Sequence, residues 1–312
     1  MAVAMPQIGQ VHAVPVLHAS DFGNNIEWFY ARHAHQPVIV RGVLDDSPQI
    51  ANLDRSAIEK LFHGCDLWAY DAATLTKGEY IKAETLFTDM AAQRARYNVV
   101  DHSVLETPLA DRFLPPAFLR HNWFVGSAYD TNRFVASVNC SVKESYSPIH
   151  VDPYGMQGWM CLLFGRKRWR LYAPEQIPLI YDMTTRRFFH RRFDDPGRFP
   201  LLEMADYWEG EIEAGDLMYF PAGWPHEVIT FEESFGLGGA LVNDFQVIES
   251  TKSWLWEYSQ SGPGDFDYPD FIRSMADLRP RSPDCAVRTA AALRIVADWK
   301  ALPTVSRYGG AG

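Results

Sequence analysis

Apolar positions follow helical spacing toward both ends of this chain and strand spacing in its middle. Ile58, Leu61 and Phe62, then Leu86, Met90 and Ala91, recur at the three- and four-residue steps that line one face of a helix. Residues 24–35 (NNIEWFYARHAH) predict another short helix, and 36–42 (QPVIVRG) a strand closed by Gly42. Residues 66–80 predict a strand pair or loop, and 97–100 a strand. Residues 111–123, with Pro115 and Pro116, predict helical turns. The first twenty residues read as a partly ordered arm.

From about Arg133 the rhythm changes. Residues 135–140 alternate between apolar and small polar side chains. Two strand-like runs, 159–164 and 168–172, flank Gly165-Arg166-Lys167, which predicts a hairpin-like break. Short strands at 210–213, 217–220, 227–231 and 237–242 follow, with Gly and Pro between them. Closely spaced short strands of this kind build a sandwich or barrel. After Asp244 helical spacing returns. It is clearest over 283–300, where Val287, Ala291, Ile295 and Trp299 recur every four residues. The Gly-rich tail at 308–312 is expected to fray. The division this suggests is a mixed α/β segment at 1–125 packing on a β core at 126–245, then a helical extension at 246–312.

Composition narrows the class. With 312 residues, 47% of them hydrophobic, the chain can bury a large core. Its 10 Trp, 14 Tyr and 19 Phe suit a β-structure with a filled interior. A net charge of −10 argues against general phosphate-backbone binding, so no nucleic-acid partner is expected. The one basic, aromatic run, at 186–193, reads as an exposed arm neutralised by nearby acids, or as a rim for an acidic substrate. Cys65, Cys140, Cys161 and Cys285 lie far apart with no CxxC pair, which argues against a zinc ribbon and a disulfide framework. Reduced thiols, the absence of an export-type leader and short apolar runs together predict a cytoplasmic protein without a membrane partner.

Candidate chemistry begins at Ser147-Pro148-Ile149-His150-Val151-Asp152. On a strand, His150 and Asp152 would project from the same face. A second histidine arriving from elsewhere would complete two His and one carboxylate, a set that holds one face of a divalent iron and leaves the other open. The stretch 215–228 (GDLMYFPAGWPHEV) reads as turn, strand, proline-rich turn and strand, and delivers His226 to the start of a strand. A lone His-x-Asp is common by chance; the ordered pair of motifs is not.

Taken together, QPVIVRG, SPIHVD, GRKRWRLYAP at 165–174 and GDLMYFPAGWPHEV resemble the Jumonji C, cupin-like family of Fe(II)- and 2-oxoglutarate-dependent oxygenases. The layout is most similar to the family's asparaginyl-hydroxylase branch, and the resemblance covers roughly residues 15–245. It implies a mainly β fold with flanking helices, a double-stranded β-helix or jelly-roll. It implies that His150, Asp152 and His226 bind the metal and are catalytic. Lys167 would hold the distal carboxylate of 2-oxoglutarate, aided by Ser147 and Tyr97, with Asn243 near the metal. Where the family carries an asparagine beside the co-substrate, this chain has residues 154–158, with Gln157 as the candidate substitute.

The cofactors implied are Fe(II), 2-oxoglutarate as co-substrate, and O2. The retained Asp152 favours hydroxylation, or demethylation through a hydroxylated N-methyl. The expected substrate is a protein, peptide or amino-acid side chain. The alternatives are an oxygenase of a small natural product, a non-catalytic cupin-like binding module, and a zinc or manganese cupin isomerase. The last fits Lys167 and the ligand order poorly. The apolar C-terminal helices point either to packing on the chain's own barrel or to a homodimer.

Overall fold

The structure, a computed structural model, describes residues 9–45, 47–51, 53–72, 78–94, 96–125, 127, 136–192, 194, 196–262 and 266–302. Val135 of the alternating stretch, Phe193 of the basic run, residues 1–8 of the expected arm and the tail at 308–312 lie outside the described residues.

The N-terminal part contains strands β1 (Val11–Ala13), β2 (Val16–His18) and β3 (Val38–Arg41), and helices α1 (Ile26–His33), α2 (Arg55–Leu61) and α3 (Ala83–Ala91). It also contains β4 (Asp66–Asp71), β5 (Glu79–Lys82) and β6 (Tyr97–Ser103). The helix starts follow from capping chemistry. Asn25 Oδ1 accepts from the Trp28 N–H at α1, and Asp54 Oδ1 from the Ala57 N–H at α2. The middle carries β7 (Ser137–Ser141), β8 (Tyr146–His150), β9 (Gln157–Leu171), a two-stranded ribbon of β10 (Tyr181–Asp182) and β11 (Arg187–Phe188), β12 (Tyr207–Glu213), β13 (Leu217–Phe220) and β14 (His226–Leu241). Helices α4 (Val247–Ser261), α5 (Tyr268–Leu278) and α6 (Cys285–Ala301) close the chain.

One hydrogen-bonded sheet of twelve strands runs β2-β3-β13-β9-β14-β7-β6-β4-β5, with β1, β12 and β8 attached off this path. Its long members are β9 and β14, which pair with each other along their lengths. The first part of β9 also pairs with β13 and the second with β12. β14 likewise pairs with β8 near its start and β7 near its end. Two strands that each serve both layers wrap the sheet around an interior. This is the expected jelly-roll, mainly β with flanking helices.

Three expectations change. The described part of the N-terminal arm is ordered, because β1 and β2 pair in parallel with β12 and β3. The hairpin-like break at Gly165 is instead a bend inside one strand. Gly165 adopts φ +90°, and a Cβ there would lie 2.2 Å from the Glu233 carbonyl oxygen, so the strand kinks against β14 without reversing. The strands expected at 227–231 and 237–242 are one strand, β14, whose register slips at bulges between Thr230 and Gly236.

The 1–125 segment shares its core with the barrel. The largest apolar cluster joins Phe29, Ile58, Phe62, Leu67 and Leu86 to Val138, Trp159, Phe235 and Leu237. The C-terminal helices pack on the chain's own barrel through a second cluster with Trp123, Met156 and Val242. On α6 the buried line is Cys285, Thr289, Ala292 and Val296, while Val287 is 71% exposed. The expected stripe was thus read slightly off the buried face. All four cysteines are free. Among the described residues, no helix is long and apolar enough to cross a membrane.

Asp244 ties the last helices to the barrel. Fully buried, it accepts from His121 Nε2 (2.6 Å), the Arg281 N–H (2.9 Å) and the Ser282 N–H (2.5 Å). Burial alone would raise its carboxyl, but these donors outweigh that and hold it below the ordinary range. Asp244→Ala leaves buried donors unpaired and is expected to lower unfolding stability by about 3 kcal/mol. Urea denaturation of the full chain measures this, and an unchanged midpoint would contradict it.

Candidate metal centre

β8 ends with His150 and β14 begins with His226, and the two are paired across the antiparallel ladder. Side chains directly opposite on one sheet face are close neighbours, and the two imidazole centroids are 4.2 Å apart. Asp152 lies just past β8 but keeps an extended backbone (φ −63°, ψ 137°). Its Oδ1 is 3.7 Å from His150 Nε2 and 3.8 Å from His226 Nε2. One ligand atom from each residue lies within 4.8 Å of the others, as a single ion requires.

The backbone fixes which ring nitrogens face inward. His150 Nδ1 contacts the Pro148 carbonyl oxygen at 2.7 Å, and His226 Nδ1 the Trp224 carbonyl oxygen at 3.0 Å. A carbonyl only accepts, so Nδ1 carries the proton in both rings and each Nε2 is left with a free lone pair on the side of Asp152, where the three donor atoms converge. His226 is 2% exposed. Burial and the neighbouring His150 hold it well below the usual histidine range, which keeps it in the neutral, ligating form. Trp169 stacks on it at 5.5 Å and Phe220 packs at 4.4 Å. Burial pushes the Asp152 carboxyl up to about 6; His150 opposes the shift and Asp101 adds to it. Gly158 makes room for the carboxylate, since a Cβ there would lie 2.7 Å from Asp152 Oδ2 and closer still to the Phe220 ring.

Lys167 lies in the same cavity, which has a volume of about 240 Å3. Strand alternation on β9 puts it there. Arg166, Arg168 and Arg170 face outward and pair with Glu232, Glu211 and Glu209, while Lys167 and Trp169 point inward. Lys167 is 5% exposed, and its Nζ donates to Ser141 Oγ at 3.0 Å. Desolvation lowers its pKa to about 8, with Cys140 opposing.

The remaining site expectations divide. Ser147 lines the cavity, but the hydroxyl that meets Lys167 is that of Ser141. Tyr97 lies outside the cavity lining, its ring against the Arg96 guanidinium at 5.3 Å; its neighbour Asn98 faces in. Asn243 is buried away from the cavity, and its Oδ1 accepts from the Phe245 and Gln246 N–H groups ahead of α4. Gln157 is fully buried and accepts from the Tyr219 hydroxyl at 2.8 Å rather than lining the cavity. Sequence reasoning missed Asn139 and Ser141. Their signal was available in the alternation of β7, where small polar residues share the face opposite Val138 and Cys140. In the 186–193 run, Arg187 pairs bidentately with Asp194, and Arg191 with the buried Glu227 (2.7 Å). Two of its four arginines are thus neutralised by acids, while Arg186 and Arg192 donate to the backbone carbonyls of Gln260 and Glu144.

Comparison with known proteins places this architecture. A family model described as a cupin-like domain matches residues 73–247. The chain is similar to arginine-specific demethylase JMJ20 of Arabidopsis thaliana, 27% identical over 139 residues, covering 44% of this chain and 28% of that protein. It is similar to 2-oxoglutarate and iron-dependent oxygenase JMJD4 of Danio rerio, 28% identical over 172 residues, covering 52% of this chain and 37% of that protein. Arginine-specific demethylase JMJ22 of Arabidopsis thaliana is 23% identical over 236 residues, covering 69% of this chain and 44% of that protein. The chain thus spans less than half the length of each of these relatives.

A proton competes with a metal for Asp152. Affinity for a divalent ion is therefore expected to fall by about tenfold per pH unit as pH drops below about 6. Titration calorimetry with Mn(II) at several pH values measures the slope, and a flat profile between pH 6 and 5 would remove Asp152 from the ligand set.

Proposed function

The chain belongs to the cupin-like domain family, and from that premise we propose that it is an Fe(II)- and 2-oxoglutarate-dependent oxygenase. Its substrate is a side chain of a protein, peptide or amino acid, which it hydroxylates. The observation that carries this reading is the meeting, in one cavity, of the His150, Asp152 and His226 donor atoms with the buried ammonium of Lys167. A buried cation needs an anion to offset its desolvation. Lys167 donates to a neutral hydroxyl, and a dicarboxylate reaching from the metal would supply the charge it lacks.

The donor set suits a first-row divalent ion: two neutral imidazoles and one carboxylate on one side, with the cavity on the other. Bound there, Fe(II) with O2 supplies the oxidising chemistry, in which one oxygen atom enters the substrate and the other enters 2-oxoglutarate, leaving succinate and CO2. The protein's share is positioning. His150 and His226 are held as one tautomer by backbone carbonyls. Lys167 and Ser141 orient the far end of the co-substrate. Trp169 and Phe220 pack around the metal ligands and exclude water from that side.

Demethylation is the second reading, favoured by relatives named as arginine-specific demethylases. It requires the same step on an N-methyl carbon, which then leaves as formaldehyde. Mass spectrometry separates the two, since hydroxylation adds one oxygen to the target and demethylation removes a methyl group.

The purified chain is expected to convert 2-oxoglutarate to succinate with an absolute need for Fe(II). Asp152→Ala should abolish that conversion. Lys167→Met should weaken 2-oxoglutarate binding by about two orders of magnitude, as loss of one member of a buried charge pair does, while Mn(II) binding is retained. Protein that binds neither metal nor 2-oxoglutarate would support a cupin-like binding module instead.

A further inference from the structure

A second cavity, of about 440 Å3, lies behind the two metal motifs. Alternation at the end of β8 puts it there. His150 and Asp152 line the metal cavity, and Val151 between them lines this one instead. The turn at 221–224, which leads into His226, forms another wall, and α4 forms a third through Ser253 and Trp256. Among the described residues, none lines both cavities.

The lining is aromatic and apolar with one buried polar exception. Trp208, Trp224 and Trp256 all line it. The rings of Trp208 and Trp224 meet at 72° with centroids 5.0 Å apart, so they form a corner. Ser253 is 6% exposed. A serine or threonine inside a helix commonly bonds back to the carbonyl four residues earlier, as Thr251 Oγ1 does to Val247 at 2.6 Å. Ser253 does not, and among the described residues its hydroxyl has no hydrogen-bond partner. Gly223 keeps the turn clear of it, with φ +77° and room so limited that a Cβ would lie 3.3 Å from Ser253 Oγ. The charged groups stand at the rim and are exposed or answered. Lys252 and His35 each lie 3.9 Å from Glu249, and Glu175 is solvated. An apolar hollow of this size with one convergent polar group is the usual form of a small-molecule site.

We propose that this cavity binds a neutral aromatic molecule bearing a hydroxyl or carbonyl oxygen, and that its occupancy is felt at the candidate metal centre. Indole walls reward a flat ring by stacked and edge-to-face contact. The buried Ser253 hydroxyl carries a desolvation cost that a ligand oxygen removes. A charged ligand would lose its hydration against these walls and find no buried counter-charge to replace it. The second half of the proposal rests on reading His150, Asp152 and His226 as metal ligands. The Trp224 carbonyl holds His226 Nδ1 at 3.0 Å, and Val151 sits between the other two residues. A molecule packed against Trp224 and Val151 steadies the backbone that aims all three side chains. It therefore tightens metal binding, and the metal tightens its binding by the same factor.

The test uses the full chain and 2-naphthol as probe, with decahydro-2-naphthol, 2-naphthoate and 2-naphthylmethylammonium as saturated, anionic and cationic counterparts. Titration calorimetry is expected to rank 2-naphthol first, by about tenfold over each of the others. Ser253→Ala should weaken it by about fivefold and Trp256→Ala by about tenfold, while Ile177→Trp, which fills the cavity, should abolish binding. Anomalous density from crystals soaked in 6-bromo-2-naphthol locates the probe whatever the variants do to folding. Bromine in the metal cavity, or no binding at millimolar probe, overturns the site. A cationic or anionic counterpart that binds more tightly overturns the ligand class. Mn(II) affinity is then measured with and without saturating 2-naphthol, and a gain of about threefold is expected. An unchanged Mn(II) affinity overturns the coupling alone. If the protein binds no Mn(II) at all, the metal reading fails and the coupling falls with it, while the bromine density still decides the site.

Discussion

The pairing of His226 with His150 across β14 and β8 is the constraint on which the site depends. Register in a sheet is unforgiving, since a slip of one residue turns every side chain to the other face. What holds the register is the next residue, Glu227, on the opposite face and fully buried. It accepts from the Tyr146 hydroxyl on β8 at 2.6 Å and from Arg191 at 2.7 Å, and Arg170 on β9 lies 3.5 Å away. A buried carboxylate without such partners would be strongly destabilising. Moving β14 by one residue would break this network and withdraw the second histidine from the candidate metal site together. The basic arm at 186–193 thus has a structural task, since Arg191 belongs to the lock behind the ligand strand.

The same alternation sorts charge along β9. Three arginines at 166, 168 and 170 meet glutamates on β12 and β14, while the lysine between them is turned into the cavity with a hydroxyl for a partner. Arginine suits the outer face, where its fork can meet carboxylates in a cross-strand ladder. The inner position suits the compact ammonium of lysine, which would meet one carboxylate of the proposed co-substrate end-on. The charge run is one strand showing different chemistry to its two sides.

Much of this was legible in the sequence where the signal was local and periodic. SPIHVD, GRKRW and GWPHEV carry their side chains at spacings that survive folding, so His150, Asp152, Lys167 and His226 converge as the motifs imply. The reading failed where parity or distant partners decide. Tyr97 and Asn98 are adjacent, and nothing within RARYNVVDH says which faces the cavity; the pairing of β6 with β7 decides it. Asn243 was read toward the metal, yet an asparagine ahead of a helix is as readily a backbone cap, and here it accepts from the N–H groups of Phe245 and Gln246. The continuity of β9 through Gly165 was hidden because a glycine in a strand marks a bend as often as a turn.

The C-terminal helices, which the sequence presents as an extension, bear on the candidate third ligand. Asp152 is followed by a tight turn at Pro153–Gly155 in which Tyr154 has φ +58°. That turn is seated on α4. The Tyr154 N–H donates to Glu257 Oε2 at 2.7 Å, and Gly155 approaches the helix so closely that a Cβ would lie 2.1 Å from the Ser250 carbonyl oxygen. Met156, next in the chain, belongs to the apolar cluster of the C-terminal helices. His150 and His226 are placed by sheet pairing, whereas the residues that immediately follow Asp152 are braced by a helix nearly a hundred residues away in the chain. A carboxylate just beyond a strand end would otherwise swing with its turn, and a ligand set must be held to within a fraction of an ångström. Helix α4 is therefore part of the candidate metal centre's framework, although none of its residues lines the cavity around that centre.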